Sequence, residues 1–129
     1  MSGFGQVYVV DDESFDRLLY KRVIDKSGLV ESLQLFPGAE DALCALRAAA
    51  CPPDLILLDI NMPRMTGFDF LEIADEELAG ASPPIGVAIL TTSEDPADKR
   101  RATAYRSVRC FLNKPLTRAD LAELAPHGA

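Results

Sequence analysis

Short apolar runs alternate with amphipathic stretches along most of this 129-residue chain. Runs of four to six residues that are rich in aliphatic and β-branched side chains are typical of buried strands. Five such runs occur, at residues 6–10, 33–36, 55–58, 85–90 and 108–113. Each is followed by a stretch with apolar residues at helical spacing. The alternation predicts a parallel sheet with helices on both faces, joined by right-handed crossovers.

Five helices are expected between and after the strands. The first is capped by Ser14, stopped by Gly28, and carries an apolar set at helical spacing that comprises Phe15, Leu18, Leu19, Val23 and Ile24. The other four are predicted at Ala39–Ala50, at Gly67 to Leu78 with a break over Gly80–Pro84, at Pro96 to about Tyr105 with Asp95 as cap, and after the Thr117–Asp120 capping box.

The character of individual strands favours one topology. The run at 55–58 is wholly apolar, as in a central strand buried on both faces, whereas the run at 33–36 partly alternates, as in an edge strand. The flavodoxin-like order 2-1-3-4-5 fits this pattern, in a (βα)5 three-layer sandwich with helices on both faces of a five-stranded sheet. We expect a single domain over residues 1–129, with its core at about 6–125 and no output domain.

Composition excludes several classes of function. The net charge is −7, and the densest basic cluster, Lys99–Arg101, lies among acids, so direct binding to nucleic acid is not expected. Met1–Gly5 does not begin a signal peptide and no apolar run approaches bilayer length, which favours a cytoplasmic protein without membrane contact. The separated Cys44, Cys51 and Cys110 predict free thiols rather than a zinc site or disulfides.

Polar residues follow four of the predicted strands. Asp11 and Asp12 end the first, Asp59 the third, Thr91 the fourth and Lys114 the fifth. Because the carboxyl ends of parallel strands lie on one edge, three carboxylates should converge there and repel one another. They must either be partly protonated or share a cation, and hard oxygen ligands of this kind suit Mg²⁺. Each residue alone is commonly a helix cap or a solvated turn. Together, a carboxylate nucleophile, two cations and a hydroxyl indicate phosphoryl transfer.

Four motifs carry a resemblance to a known family. They are Val9–Asp12, Leu57–Pro63 with Gly67, Leu90–Ser93 and Phe111–Pro115. With them the chain resembles a response-regulator receiver domain of two-component signalling, from Gln6 to about Ala125.

The resemblance implies a phosphoacceptor and a metal site. Asp59 would accept a phosphoryl group from a phosphohistidine on a sensor histidine kinase or a histidine phosphotransfer protein. Mg²⁺ would be bound directly by Asp12, by Asp59 and by the backbone carbonyl of Asn61, and through water by Asp11.

The resemblance also implies a switch. Lys114 would hold a phosphoryl oxygen, the Thr91 hydroxyl would swing onto the phosphoryl group, and Phe111 would reorient inward. The peptide bond between Lys114 and Pro115 would be cis.

Two features depart from the usual family pattern. The segment Ala104–Arg109 replaces the small, glycine-containing turn that usually precedes the last strand, and the final helix is short and ends near Pro126. The first of these features resembles a subgroup of small stand-alone receivers. Docking in the family commonly uses the fourth helix, fifth strand and fifth helix. That surface is present here, but its contacts cannot be copied from a better-known member, so the sequence does not identify the downstream protein target.

The sequence therefore predicts a phosphorelay response regulator that signals by protein–protein contact and is not an enzyme. One alternative is an interaction module that works without phosphorylation. A second is an aspartyl-phosphate phosphatase, which would need a general acid two residues after Asp59, where this chain has Asn61. A phosphate sink for a kinase would have the same chemistry as the first interpretation.

Overall fold

A computed structural model describes residues 3–77, 85–92 and 95–124. In these ranges strands and helices alternate in the order β1 (Phe4–Val10), α1 (Ser14–Ser27), β2 (Val30–Phe36), α2 (Ala39–Ala48), β3 (Leu55–Asp59), α3 (Gly67–Glu77), β4 (Gly86–Thr91), α4 (Pro96–Ala102), β5 (Val108–Asn113) and α5 (Arg118–Leu124). All paired strands are parallel, and their order in the sheet is β2-β1-β3-β4-β5. The predicted flavodoxin-like fold is confirmed.

The sheet separates two apolar cores. Along the central strand β3, Ile56 and Leu58 pack in the cluster that includes residues of α2 and α3, while Leu55 and Leu57 pack in the cluster that includes residues of α1 and α5. Successive side chains of a strand point to opposite faces, so an apolar run without polar interruptions is what a strand covered on both faces requires. All five residues of β3 are buried.

The two edge strands are less buried than the centre. The exposed and half-buried positions of β2 agree with its predicted edge place, and β5 forms the opposite edge. None of the helices in the described ranges is long and apolar enough to cross a membrane.

The start of α1 and its apolar face differ from the prediction. Glu13, in extended backbone and without a side-chain cap, occupies the N-cap position, and Ser14 is the first helical residue. Phe15 is 66% exposed and Leu18 is 46% exposed, whereas Tyr20 is buried. Residues 18 and 20 point about 200° apart on a helix, so only one of them can face the sheet. Tyr20 takes that side because its hydroxyl has a buried hydrogen-bond acceptor there.

Two of the other helices end earlier than predicted. α2 stops at Ala48, because Ala49 adopts an extended conformation four residues before Pro53. α4 stops at Ala102, after which residues 103–107 form turns and a bend. Leu78 and the break at 80–84 lie outside the described residues.

Two predicted caps are confirmed. The Asp95 side chain accepts a hydrogen bond from the backbone N–H of Ala97 at 2.9 Å, with Pro96 in the first turn of α4. Before α5, the N–H of Thr117 donates to the Asp120 carboxylate at 3.0 Å and the N–H of Asp120 donates to the Thr117 hydroxyl at 3.1 Å. This reciprocal pair satisfies two N–H groups at the helix start.

Gly67 lets the start of α3 approach the end of β3 closely. Its N–H donates to the carbonyl of Ile60 at 3.1 Å. A Cβ at this position would lie 2.6 Å from Ile60 Cα and 2.7 Å from the carbonyl oxygen of Asp59. Because both neighbours are backbone atoms, a side chain here would displace the segment that carries Asp59.

We predict that Gly67→Ala destabilises the protein by about 1–3 kcal/mol, the usual cost of forcing extra volume into a packed site. Urea unfolding would measure it. Gly38→Ala is the control, since a Cβ there meets no atom within 4 Å, and its smaller loss would reflect only the replacement of glycine at the N-cap of α2. Equal losses for the two variants would contradict the importance of the close approach at Gly67.

Candidate functional site

The pleat of the sheet directs three charged residues toward the same rim. Val9 and Leu57 pack in the cluster on the α1 and α5 side of the sheet. Asp11 follows Val9 by two residues and Asp59 follows Leu57 by two, so their side chains point to that same side. On β5, Leu112 packs in this cluster too, and Lys114 follows at the same spacing. Parallel strands that end together therefore bring two carboxylates and one ammonium into contact.

The Lys114 ammonium joins three carboxylates. Its Nζ donates to Oδ2 of Asp11 at 2.9 Å and to Oδ2 of Asp16 at 2.9 Å, and lies 3.5 Å from Oδ2 of Asp59. The lysine side chain is only 14% exposed. Burial alone would lower the pKa of Lys114, but the hydrogen bonds to Asp16 and Asp11 outweigh it and raise that pKa above its ordinary value. Lys114 is therefore a permanent positive charge at this rim.

Asp11 is fully buried and its oxygens are already engaged. The backbone N–H of Glu13 donates to Oδ1 at 2.9 Å, and the hydroxyl of Tyr20 donates to Oδ2 at 3.1 Å, beside Lys114. The guanidinium of Arg17 donates to the backbone carbonyl of Asp11 at 2.7 Å. Burial and then the nearby Asp11 charge raise the pKa of the Tyr20 hydroxyl, which keeps it a donor.

Asp59 is 5% exposed and lies at the end of β3. Burial raises the pKa of Asp59 to about 6, an effect that the hydrogen bond from the Asn61 N–H opposes. That bond reaches Oδ1 at 3.1 Å, and the Lys114 charge also lowers this pKa while Asp11 and Asp12 raise it. At neutral pH Asp59 is mostly ionised, and is a poorly solvated carboxylate that can act as a nucleophile.

Three carboxylates form the group best suited to a metal ion among the described residues. One oxygen each from Asp11, Asp12 and Asp59 lies within 4.8 Å of the other two. Hard oxygen donors with net negative charge suit Mg²⁺. Asp11 accepts hydrogen bonds from the Glu13 N–H, the Tyr20 hydroxyl and Lys114, whereas Asp59 accepts one from the Asn61 N–H and has only a longer contact with Lys114. Asp12 and Asp59 are therefore the carboxylates better placed to bind an ion directly.

Thr91 and Phe111 approach the rim from the other face of the sheet. Thr91 is fully buried, and the amide of Asn61 lies 3.5 Å from its hydroxyl oxygen. Phe111 is half-buried and packs against the cluster on the α2 and α3 side. The Lys99 ammonium of α4 lies 5.8 Å from the centre of the Phe111 ring.

Lys114 is anchored through its backbone as well as its side chain. Its N–H donates to the carbonyl of Thr91 at 3.0 Å, which continues the pairing of β4 with β5 beyond Asn113. The peptide bond from Lys114 to Pro115 is cis.

All the predicted strand-end residues therefore meet at one edge, whereas the contribution of α1 was missed. Asp16 and Tyr20 lie one helical turn apart on the face of α1 that reaches Lys114 and Asp11. Their spacing of four residues was the available signal. It could not be recognised without knowing which face of α1 meets the sheet.

Comparison with known proteins assigns the family. The family model for the response regulator receiver domain matches residues 7–125. The chain belongs to that family. The chain is similar to the protein-glutamate methylesterase/protein-glutamine glutaminase 3 of Burkholderia thailandensis, at 32% identity over 92% of this chain and 31% of the relative. This receiver spans between 18% and 31% of the length of three such curated relatives.

Solved receiver structures have the same fold. A two-component response regulator from Cytophaga hutchinsonii superposes with a TM-score of 0.85 at 29% identity, covering 95% of this chain and 94% of that one. The phosphorylated cyanobacterial phytochrome response regulator RcpA superposes with a TM-score of 0.73 at 25% identity, covering 93% and 87%.

The raised pKa of Asp59 predicts that Asp59→Asn stabilises the metal-free protein at pH 7.5. Folded Asp59 keeps its proton up to about pH 6, while the unfolded chain releases it near 3.8. The folded state therefore binds more protons between these values, and its stability falls as the pH rises through this window. Asparagine avoids this loss, which amounts to about 1–3 kcal/mol after the lost contact with Lys114 is included.

Urea unfolding in EDTA between pH 4 and 7.5 would measure the effect. The gain should be largest at pH 7.5 and shrink toward pH 4. Asp25→Asn, which removes an exposed carboxylate paired with Lys21, is the control and should show no such trend. A variant at Asp59 that is less stable than the wild type at pH 7.5 would contradict the unfavourable burial of this charge.

Proposed function

We propose that this receiver accepts a phosphoryl group on Asp59 from a phosphohistidine of a sensor histidine kinase or a histidine phosphotransfer protein. One observation carries the proposal: a nearly buried carboxylate lies beside a lysine ammonium and within a cluster of two further carboxylates. Positioning and charge neutralisation are what phosphoryl transfer mainly needs from a protein.

The transfer needs no other group of this chain to form a covalent bond. An ionised oxygen of Asp59 attacks phosphorus, the bond from phosphorus to the donor nitrogen breaks, and its electron pair stays with the donor imidazole. Nζ of Lys114 lies 3.5 Å from Oδ2 of Asp59 and can bind a phosphoryl oxygen. The hydroxyl of Thr91 can donate to a second oxygen. Both contacts reduce the repulsion between the acceptor and the incoming anion.

Mg²⁺ fits the same rim. Asp12, Asp59 and the backbone carbonyl of Asn61 would bind it directly, and Asp11 would act through water. When bound, the ion supplies positive charge that offsets the carboxylates and the phosphoryl oxygens. The hydrogen bonds that already occupy Asp11 support its indirect role.

The output is a change of protein surface rather than a further reaction. The phosphoryl group adds roughly two negative charges at a buried position. Thr91 and Phe111 are the residues expected to respond, and Lys99 connects the Phe111 ring to α4, a short helix of seven residues. Altered contacts of α4 and β5 would then recruit an unidentified protein target. A cytoplasmic location follows from this partnership, since kinases form phosphohistidine from ATP there.

The relationship to RcpA supports the proposal, because that response regulator was solved in a phosphorylated form. The presence of Asn61 disfavours the phosphatase alternative. It supplies no acid at the position two residues after Asp59, and its N–H and side-chain amide point at the Asp59 carboxylate and at Thr91.

We expect acetyl phosphate with Mg²⁺ to add a single phosphoryl group to the wild-type protein, as measured by intact mass. EDTA should prevent the addition and Asp59→Asn should abolish it. Asp25→Asn is the matched control and should behave as the wild type. An adduct that persists in Asp59→Asn would overturn the assignment. Partner binding that is unchanged by that variant would favour the phosphorylation-independent module.

We further expect Asp12→Asn to raise the Mg²⁺ concentration needed for half-maximal phosphorylation by on the order of tenfold or more, because affinity follows the number of charged ligands. The maximal extent at saturating Mg²⁺ should change less. A Mg²⁺ dependence equal to that of the wild type would remove Asp12 from the metal site.

A further inference from the structure

Lys114 has an additional carboxylate partner that the proposed phosphoryl chemistry does not use. Asp16, in the first turn of α1, accepts a hydrogen bond from Nζ at 2.9 Å, as short as the bond from Nζ to Asp11. The contact of Nζ with Asp59 is longer, at 3.5 Å. The ammonium therefore lies closer to α1 and β1 than to the carboxylate that would receive the phosphoryl group.

The number of donors on Lys114 makes these contacts competitive. An ammonium has three N–H groups, and three carboxylates surround this one. A phosphoryl oxygen on Asp59 would have to use a donor that faces these carboxylates. The negative charge of Asp16 also lies beside Lys114, and it weakens the attraction of the lysine for the incoming anion. Both effects oppose phosphoryl transfer to Asp59.

We propose that Asp16 is a positioning residue that draws the Lys114 ammonium toward α1 and thereby slows acceptance of a phosphoryl group by Asp59. This inference rests on the proposed function, because it concerns the rate of that reaction. Asp16 does not contact the reacting atoms and acts through Lys114.

A purely structural role for Asp16 makes a different prediction. An acidic residue in the first turn of a helix stabilises the helix through the N-terminal dipole, whatever residue is at position 114. Asp16 is partly exposed, at 27% of its side-chain surface, so Asp16→Asn should be tolerated. The two roles separate in variants that also lack the lysine.

The first experiment compares initial rates of phosphorylation by acetyl phosphate at saturating Mg²⁺, followed by intact mass. Asp16→Asn should react about three- to tenfold faster than the wild type, as expected for the loss of one unit charge a few ångströms from the site. Asp25→Asn removes the same charge from the other end of α1 and should react at the wild-type rate. An Asp16→Asn rate equal to or below that of the wild type would overturn the proposal.

The second experiment does not depend on phosphorylation. Urea unfolding of the wild type, Asp16→Asn, Lys114→Met and the double variant, in EDTA, gives a thermodynamic cycle. Asp16→Asn should raise the unfolding equilibrium constant severalfold in the presence of Lys114. In the Lys114→Met background, where the carboxylates only repel one another, it should leave that constant unchanged or lower it. Equal effects in both backgrounds would show a helix-dipole role and overturn the proposal.

The two experiments distinguish the possible failures. If the wild type forms no adduct while the cycle shows strong coupling, the proposed function fails and the pairing of Asp16 with Lys114 stands. If the wild type is phosphorylated on Asp59 and the cycle is additive, the proposed function stands and the role of Asp16 is refuted.

Discussion

The rim of this sheet depends on one ammonium group among buried carboxylates. Asp11 and Asp59 have almost no access to solvent, and burying two neighbouring carboxylates is costly unless a positive charge lies nearby. Lys114 supplies that charge and touches β1, β3 and α1 at once. Its backbone is fixed by the pairing of β4 with β5. A side chain from the last strand therefore joins the first helix to the central strand, so five separate segments determine the geometry around Asp59.

The same arrangement leaves Asp59 poorly stabilised in the absence of a ligand. Lys114 makes its longest carboxylate contact with Asp59, and burial raises the pKa of this group despite the hydrogen bond from Asn61. A cation or a group that draws Lys114 closer would relieve the unfavourable burial. In this respect the protein resembles other functional sites, where local stability is lower than the fold alone would permit.

Apolar runs were sufficient to predict the sheet order and the residues that gather at its edge, because parallel strands must end together. That topology alone was enough to place five residues at the edge: Asp11, Asp12, Asp59, Thr91 and Lys114. Periodicity could not choose between two faces of α1 that both carry apolar residues, so Phe15 and Leu18 were expected on the inner face and are exposed. Asp16 and Tyr20 were missed for the same reason. The end of α4 was also misjudged, since residues 103–105 contain neither glycine nor proline to stop a helix.

The alternation of side chains along the strands divides the rim into two sets. Asp11, Asp59 and Lys114 belong to the face covered by α1 and α5, while the strand parity of Thr91 and Phe111 directs them to the opposite face. Substitutions in the first turn of α1 would therefore reach the charged set without altering the surface of α4. Under the proposed function, a lineage of such proteins could change how quickly Asp59 accepts a phosphoryl group while the side chains of α4 stay the same, because α1 and α4 cover opposite faces of one sheet.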